Sequence, residues 1–552
     1  MSRVCTLLLL VAVVAACSQQ EEPKPTAPIG IARMAPAGDV AAIAQLVPAD
    51  TAVLLRISSA EKLEEVTSQL SAALPLPPSP NVLGMTAMLG LDPAAVERDR
   101  PVYLCASFGE RDAPPVLTLI APVADSGAIA KTHPGGGLGV ADGYVSLSQL
   151  KSDLRAGGST LAAGIPGGDL SARCDLVRII STYRADIENA LQGFEECFAS
   201  GARAGLPSFE PAELTARITD WLRELVGSAE TLDAVVNHKE GFFDLQLAMT
   251  AGETSPLARA AARTKSELVQ LGRCLPPDMP VTMLLRFDIA GMNDLFLPVL
   301  SALMEKRPAE EREAREGHVR RMNDAADLLT DDWAIALDFG KDGMRFAMVG
   351  GARDAQAYLA TYRDLLQTPV LGQMGMAFQS EGSRKVAGTT VERMRMTMDV
   401  QKYMEFLGME DLGAEAIGQA SMALALVLGE KGMAFEMAAQ EDRLFFAAGA
   451  GEELMDRMLA ADEPPAWLEG TAAAIGGELG FLVRLEMRGC MRGVSEMIAR
   501  LAPGMPGRAY PDGEDLPVVL YGTVDGRVYR GGMTGNLAKL AAFIRGTGSA
   551  SR

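Results

Sequence analysis

Two serine–lysine pairs, three histidines, a methionine triplet and a scatter of cysteines are the residues here that could do chemistry. Ser59-Ala-Glu-Lys62 and Ser148-Gln-Leu-Lys151 each set a lysine amine one helical turn from a serine hydroxyl, as nucleophilic acylation requires. No Ser-x-Asn follows, and Lys131-Thr132-His133 only echoes the Lys-Thr-Gly that should accompany them. Ser59 also opens a predicted helix, where serine is a good N-cap, and capping is the expected role. His133, His238 and His318 each stand alone in sequence, without an H-E-x-x-H, Gly-x-Ser-x-Gly or Walker pattern. His238 falls in a predicted hairpin turn and His318 in a charged helix, so both are expected in solvent. His133 adjoins Gly135-Gly-Gly-Leu-Gly139, which lacks the strand-before, helix-after setting of a phosphate loop.

Met394-Arg-Met-Thr-Met398 lines three thioethers along one face of a predicted strand. Soft sulfurs of this kind suit Cu(I). With no His or Cys beside them, in a chain of 29 methionines, an apolar core face is the expectation. Cys105, Cys174, Cys197, Cys274 and Cys490 show neither zinc-finger nor Cys-x-x-Cys spacing, and five thiols cannot all pair. Cys174 with Cys197, closing a helical hairpin, is the disulfide an exported chain would allow; buried small hydrophobes are the alternative. No catalytic, cofactor-binding or metal-ligating residue is assigned from these patterns.

The elements that must position any site are organised around a repeated strand opener. Leu46-Val-Pro-Ala-Asp-Thr-Ala-Val-Leu-Leu-Arg-Ile-Ser-Ser59 returns as Leu275-Pro-Pro-Asp-Met-Pro-Val-Thr-Met-Leu-Leu-Arg-Phe-Asp288. Each begins with a Pro-x-Asp turn and runs into an apolar strand ending Leu-Leu-Arg, with a helical pattern after it. Further strands are predicted at Val102–Phe108, Val116–Val123 and Gly143–Leu147, then helices from Leu170 to Gly227 and a hairpin over Leu232–Met249. A strand–turn–strand–helix unit recurs at Asp332–Leu366, Met422–Ala461 and Leu516–Arg545, its turns marked by Asp342-Gly343, by Gly429 to Gly432 and by Asp525-Gly526. Met422–Leu428 reads as a buried strand, and Gly480–Glu486 as a degraded third opener. The charged run Glu305–Arg321 mixes signs at i, i+4 spacing and reads as an exposed helix.

At 552 residues the chain exceeds one core, and its 48% apolar and 22% charged composition is that of a folded protein. A formal net charge of −20 argues against nucleic acid as a partner, because phosphate binding needs a basic surface. It leaves no polybasic patch for anionic headgroups either. These features predict an α+β fold of two tandem related lobes, each an antiparallel sheet with helices on one face. The boundaries fall at residues 46–273 and 274–552, with a degraded third unit from about 470.

The N-terminus supplies an address. Arg3 gives a basic start, Leu7 to Ala16 is an unbroken apolar run too short to span a bilayer, and Val14-Ala15-Ala16-Cys17 ends it. This ending resembles the lipobox of bacterial lipoproteins. The resemblance implies that residues 1–16 are a signal peptide, that Cys17 carries a diacylglyceryl thioether, and that its new amino group is acylated. Several acyl chains give stable anchoring. Residues 17–45 then form a lipid-anchored tether, Gln/Glu/Pro/Ala-rich as far as about Gly38, holding the first lobe on the order of 30 Å from the membrane. Ser18 after the cysteine leans the address toward the outer membrane. Lipobox and duplicated units together resemble large lipoproteins of bacterial envelopes. With no nucleophile–base, metal or phosphate constellation in the sequence, and a second sheet face left free by helices on one side, the expectation is a non-enzymatic binding or scaffolding protein at the periplasmic face, with an envelope protein or a lipid as partner. A lipid or hydrophobic-ligand carrier, or an envelope hydrolase whose residues meet only in space, are the alternatives.

Overall fold

The computed structural model describes residues 34–65, 91–109, 113–132, 138–148, 159–205, 212–239, 241–253, 266–286, 309–340, 343–406, 432–449, 453–460, 465–476, 478–501 and 515–536, with Ser255, Gly418, Ser421, Leu428, Lys539 and Phe543 besides. Both openers form. Pro48-Ala49-Asp50 and Pro276-Pro277-Asp278 end in turns that lead into β1 (Thr51–Ile57) and, later in the chain, Val281–Arg286. Asp50 accepts from the Ser107 hydroxyl at 3.1 Å, and Asp278 pairs with Arg457 at 2.5 Å. Leu54 and Leu284, from the two Leu-Leu-Arg ends, are fully buried. The arginines beyond them fold back onto carboxylates: Arg56 on Asp39 at 2.9 Å, Arg286 on Asp332 at 3.5 Å.

The remaining strands of the first half are β2 (Val102–Ser107), β3 (Val116–Pro122), β4 (Leu138–Ala141), β5 (Tyr144–Ser148), β6 (Leu170–Asp175), β7 (Ala229–Lys239) and β8 (Phe242–Ala251). The second half holds β9 (Val281–Arg286), β10 (Leu329–Gly340), β11 (Gly343–Ala352), β12 (Met376–Val386), β13 (Thr389–Met398), β14 (Met433–Gln440), β15 (Arg443–Ala448), β16 (Glu478–Glu486), β17 (Pro517–Asp525) and β18 (Val528–Asn536). All 18 belong to one sheet, and every pairing is antiparallel. The order across it is β4-β5-β3-β2-β1-β6-β7-β8-β18-β17-β16-β9-β10-β11-β15-β14-β13-β12. Tight hairpins close several of these pairs. Asp142-Gly143 and Ala387-Gly388 have positive φ at both positions, the geometry whose twist matches the flanking strands.

The two halves trace the same path. From β1 the sheet runs one way through β2, β3, β5 and β4, and the other way through β6, β7 and β8. From β9 it runs through β10, β11, β15 and β14, then the β13–β12 hairpin, and the other way through β16, β17 and β18. The residues of the degraded opener form β16, which stands to β9 as β6 stands to β1. Each is capped alike at its C-terminal end: Asp175 accepts from the Arg178 N–H at 2.9 Å, and Glu486 from the Arg488 N–H at 3.2 Å. The halves meet where β8 pairs with β18, from Thr250↔Val528 to Phe242↔Asn536. Equivalent strands paired antiparallel are related by a local two-fold axis.

Helices cover both faces of the second half. Leu268, Leu271, Leu454, Met455 and Leu468 pack on Ala334, Val349 and Phe445 from one side. Ala325, Tyr358, Leu359 and Leu366 pack on Met437, Leu444 and Phe446 from the other. The α+β class and antiparallel pairing stand as expected, but the layers number three here. Phe435 to Ala439 and Leu444 to Ala448 are buried at every position, so β14 and β15 have no solvent face to leave bare.

Other local expectations are corrected. Leu170–Asp175 is a strand, and helix begins only at Leu176. The glycine-rich turn passes into a short strand, β4, from Leu138. Met422–Val427 lies outside the described residues, but Ser421 and Leu428 on either side are helical, not extended. Short apolar runs carry no period that separates strand from helix. The charged stretch forms the helix Ala309–Ala326, as its spacing predicts.

Candidate functional site

The chemistry-bearing residues are scattered. Cys17, His133 and Lys151 lie outside the described residues. Ser59 caps its helix, accepting from the Lys62 N–H at 3.0 Å, while the Lys62 ammonium pairs with Glu65 at 3.0 Å. Ser148 ends β5. His238 lies within β7, half-buried and not in a solvated turn, and its backbone N–H donates to Asp169 at 2.8 Å. His318 is also half-buried, with Nδ1 2.9 Å from the Thr368 hydroxyl. Burial holds both imidazoles below their ordinary pKa, with Lys62 adding to the effect at His238 and Arg321 at His318. Met394 is buried in the core with Phe435 and Met437, and Met396 packs against the same cluster.

The Cys174–Cys197 disulfide does not form: both thiols are free, Cys174 buried in β6 and Cys197 exposed on the helix Arg184–Gly205. The pairing assumed that both residues lay on helices, and the strand takes Cys174 into the sheet. Burial pushes the thiols of Cys105 and Cys174 up to about 12 and that of Cys490 up to about 11, so none is a ready nucleophile. Cys274 is raised too, by burial, with Arg443 Nη1 3.6 Å from its sulfur. Among the described residues no three His, Cys, Asp or Glu side chains stand together as metal ligands.

What the fold does assemble lies at the seam. Alternation along β7, β8, β18, β17, β16 and β9 sends one set of side chains to each face. On one face the register aligns Leu247, Gly531, Gly522, Phe481 and Leu285 in a row across five strands. Beside it runs Leu245, Met533, Leu520, Val483 and Met283, and on the other flank Met249, Tyr529 and Val524. The two longer rows carry no charged side chain, while the third ends on β16 at Glu478, which pairs with Val524 and is exposed. Leu247 is 42% exposed and Phe481 40%, and most of their neighbours are half-buried. The surface is an apolar floor. To one side Leu63 and the floor's own Leu245 pack against the cluster of Ile57, Val102, Val236 and Phe243; to the other the helix Met487–Leu501 lies on β10, where Gly493 meets Phe339. Within the row the Phe481 ring lies over Gly522, whereas among the described residues a side chain on Gly531 would meet only the Tyr521 carbonyl, at 3.5 Å. Gly531 is therefore an open slot between Leu247 and Phe481.

The opposite face of the same strands is closed, apolar at Leu284, Leu482 and Val519 and polar toward β8 and β18. Asp244, Gln246, Thr523 and Thr534 are all buried there, with Tyr521, whose ring covers Gly532. Gln246 Nε2 donates to Asp244 Oδ2 at 2.6 Å. Burial, then the Asp244 charge, raises the Tyr521 phenol far above its ordinary pKa. One strand further on, Asp233 lies 3.5 Å from Arg173, and burial outweighs that partner and pushes its carboxyl up to about 6. Register here is fixed by burial, because a one-residue slip would carry the exposed Leu247 inward and the buried Asp244 and Gln246 to the other face.

Sequence reasoning missed the floor. Leu247 and Phe481 come from different halves, and only the β8–β18 pairing brings them into one row.

No protein-family description matches the chain, and no curated protein matches it. Among solved structures, crystal form IV of the treponemal protein TP0453 aligns at 12% identity over 52% of this chain and 98% of that one, with a TM-score of 0.22. Crystal form III aligns at 11% identity over 51% and 98%, also at 0.22. Scores so low support no conclusion about fold or function.

Proposed function

We propose that this protein is a membrane-anchored lipoprotein of the bacterial envelope, held through Cys17 at the periplasmic face and acting by binding, not catalysis. The observation that carries the reading is the apolar floor at the seam. Exposed apolar residues that adjoin one another mark interaction sites, and Leu247 and Phe481 are exposed within one continuous row. Junctions between duplicated units are where ligands settle, and we read the shared strand path of the halves as tandem duplication. A carrier of lipid or another apolar molecule is the second reading, favoured by the methionines of the floor, Met249, Met283 and Met533, whose thioethers adapt to varied shapes.

Leu247→Glu and Phe481→Glu test the binding surface. Each puts a charge on the floor without entering the buried network, so each should abolish cross-linking of a cellular binding partner at the floor while leaving the melting temperature within a few degrees. Unchanged cross-linking in both variants would overturn the reading.

A further inference from the structure

We infer that the floor between Leu247 and Phe481 takes the acyl chain of a membrane lipid. The inference rests on the binding-surface reading above and names the ligand. Size decides among occupants. The two full rows cross five strands, about 19 Å, and with the shorter third row they extend about 14 Å along the strands, giving on the order of 250 Å². A stable protein partner or a second copy of this chain needs roughly 800 Å² per side. The floor offers less than half of that. One lipid tail, half of a hydrocarbon core of about 30 Å, is roughly 15 Å long and fits within the floor across the strands.

Chemistry agrees with size. A protein interface carries hydrogen-bonding groups through its area, about one for every 100–200 Å². Along the two longer rows no side chain carries a polar group; in the third the Tyr529 hydroxyl is buried without a hydrogen-bond partner among the described residues, and the Glu478 carboxylate stands exposed at the row's end. An acyl chain asks for none. The slot at Gly531 gives such a chain a seat, with the Leu247 side chain on one wall and the Phe481 ring, lying over Gly522, on the other.

The test uses the full lipid-anchored chain, reconstituted in phosphatidylethanolamine–phosphatidylglycerol vesicles containing a phospholipid with a diazirine on its acyl chain. Irradiation and peptide mass spectrometry should find adducts on β8, β16 and β18. Gly531→Leu fills the slot from within the strand and should cut those adducts roughly tenfold, leaving adducts on the anchor segment unchanged. Leu247→Asn, which removes a wall without adding bulk, should lower them as well and guards against a folding defect in the first variant. Adducts confined to the anchor segment, or equal floor yields in wild type and both variants, overturn the inference. A photoreactive residue placed at Leu247 in cells separates the two readings. A cross-link there to a protein with no lipid adduct overturns the acyl chain and leaves the binding surface standing. No cross-link of either kind overturns both.

Discussion

Asp233 is the residue where burial and function part company. Its carboxyl is held up to about 6 because burial outweighs the Arg173 guanidinium 3.5 Å away. A carboxyl raised in the folded state binds its proton more tightly there than in the unfolded chain, whose ordinary value is about 4. Stability therefore rises as pH falls from above 6 toward 4, by on the order of 2 kcal/mol from this group. His238 and His318 work in the opposite sense, since lowered imidazoles lose stability as pH falls through the unfolded value near 6.5. The informative quantity is thus the difference between wild type and Asp233→Asn. The variant should be the more stable at pH 7, and the gap should close by about pH 4. Melting curves across that range check it, and a constant gap would mean that Asp233 is ionised throughout. Core positions follow a simpler rule. Leu284, fully buried beneath Leu268 and Leu468, should cost roughly 3 kcal/mol as Leu284→Ala.

Neighbouring glycines of β18 test the elements. Gly532 lies under the Tyr521 ring, so Gly532→Ala must displace that ring from the buried network and should cost about 1–3 kcal/mol. Gly531, one residue earlier and on the other face, offers a side chain only ordinary contact among the described residues, and Gly531→Ala should be neutral or slightly stabilising in a strand. Equal effects in urea titration would contradict the assignment of faces. The strands themselves are legible where a turn announces them: Asp525-Gly526, Gly241 and the two Pro-x-Asp turns each lead where the pattern predicts. β6 is not legible, because Leu170-Ser-Ala-Arg-Cys-Asp175 is short and runs directly into helix. Nor is β12, whose Gln379, Ser380, Glu381 and Ser383 are all exposed on an outer strand and leave no apolar period to read. Of the candidate site, Leu247 and Phe481 look in sequence like ordinary inward strand residues. Their exposure follows from which strands adjoin them and what covers those strands, and neither is written locally.

At the scale of the molecule, the anchor carries its own test. Cys17→Ser should move the protein from the detergent-rich to the aqueous phase on phase separation, and partition unchanged by the substitution would remove the anchor. The seam has a consequence for how the chain comes into being. β8 is complete before the second half has been made, yet its neighbour β18 is the last strand of the sheet. Because synthesis runs from the N-terminus, each molecule waits with an open edge for nearly half its length. Because β8 and β18 occupy equivalent places, the β8 edge of another unfinished molecule offers a similar template, and exchange between chains competes with closure within one. Refolding at rising protein concentration should then yield dimers by light scattering, whereas slow release at high dilution should give monomers alone.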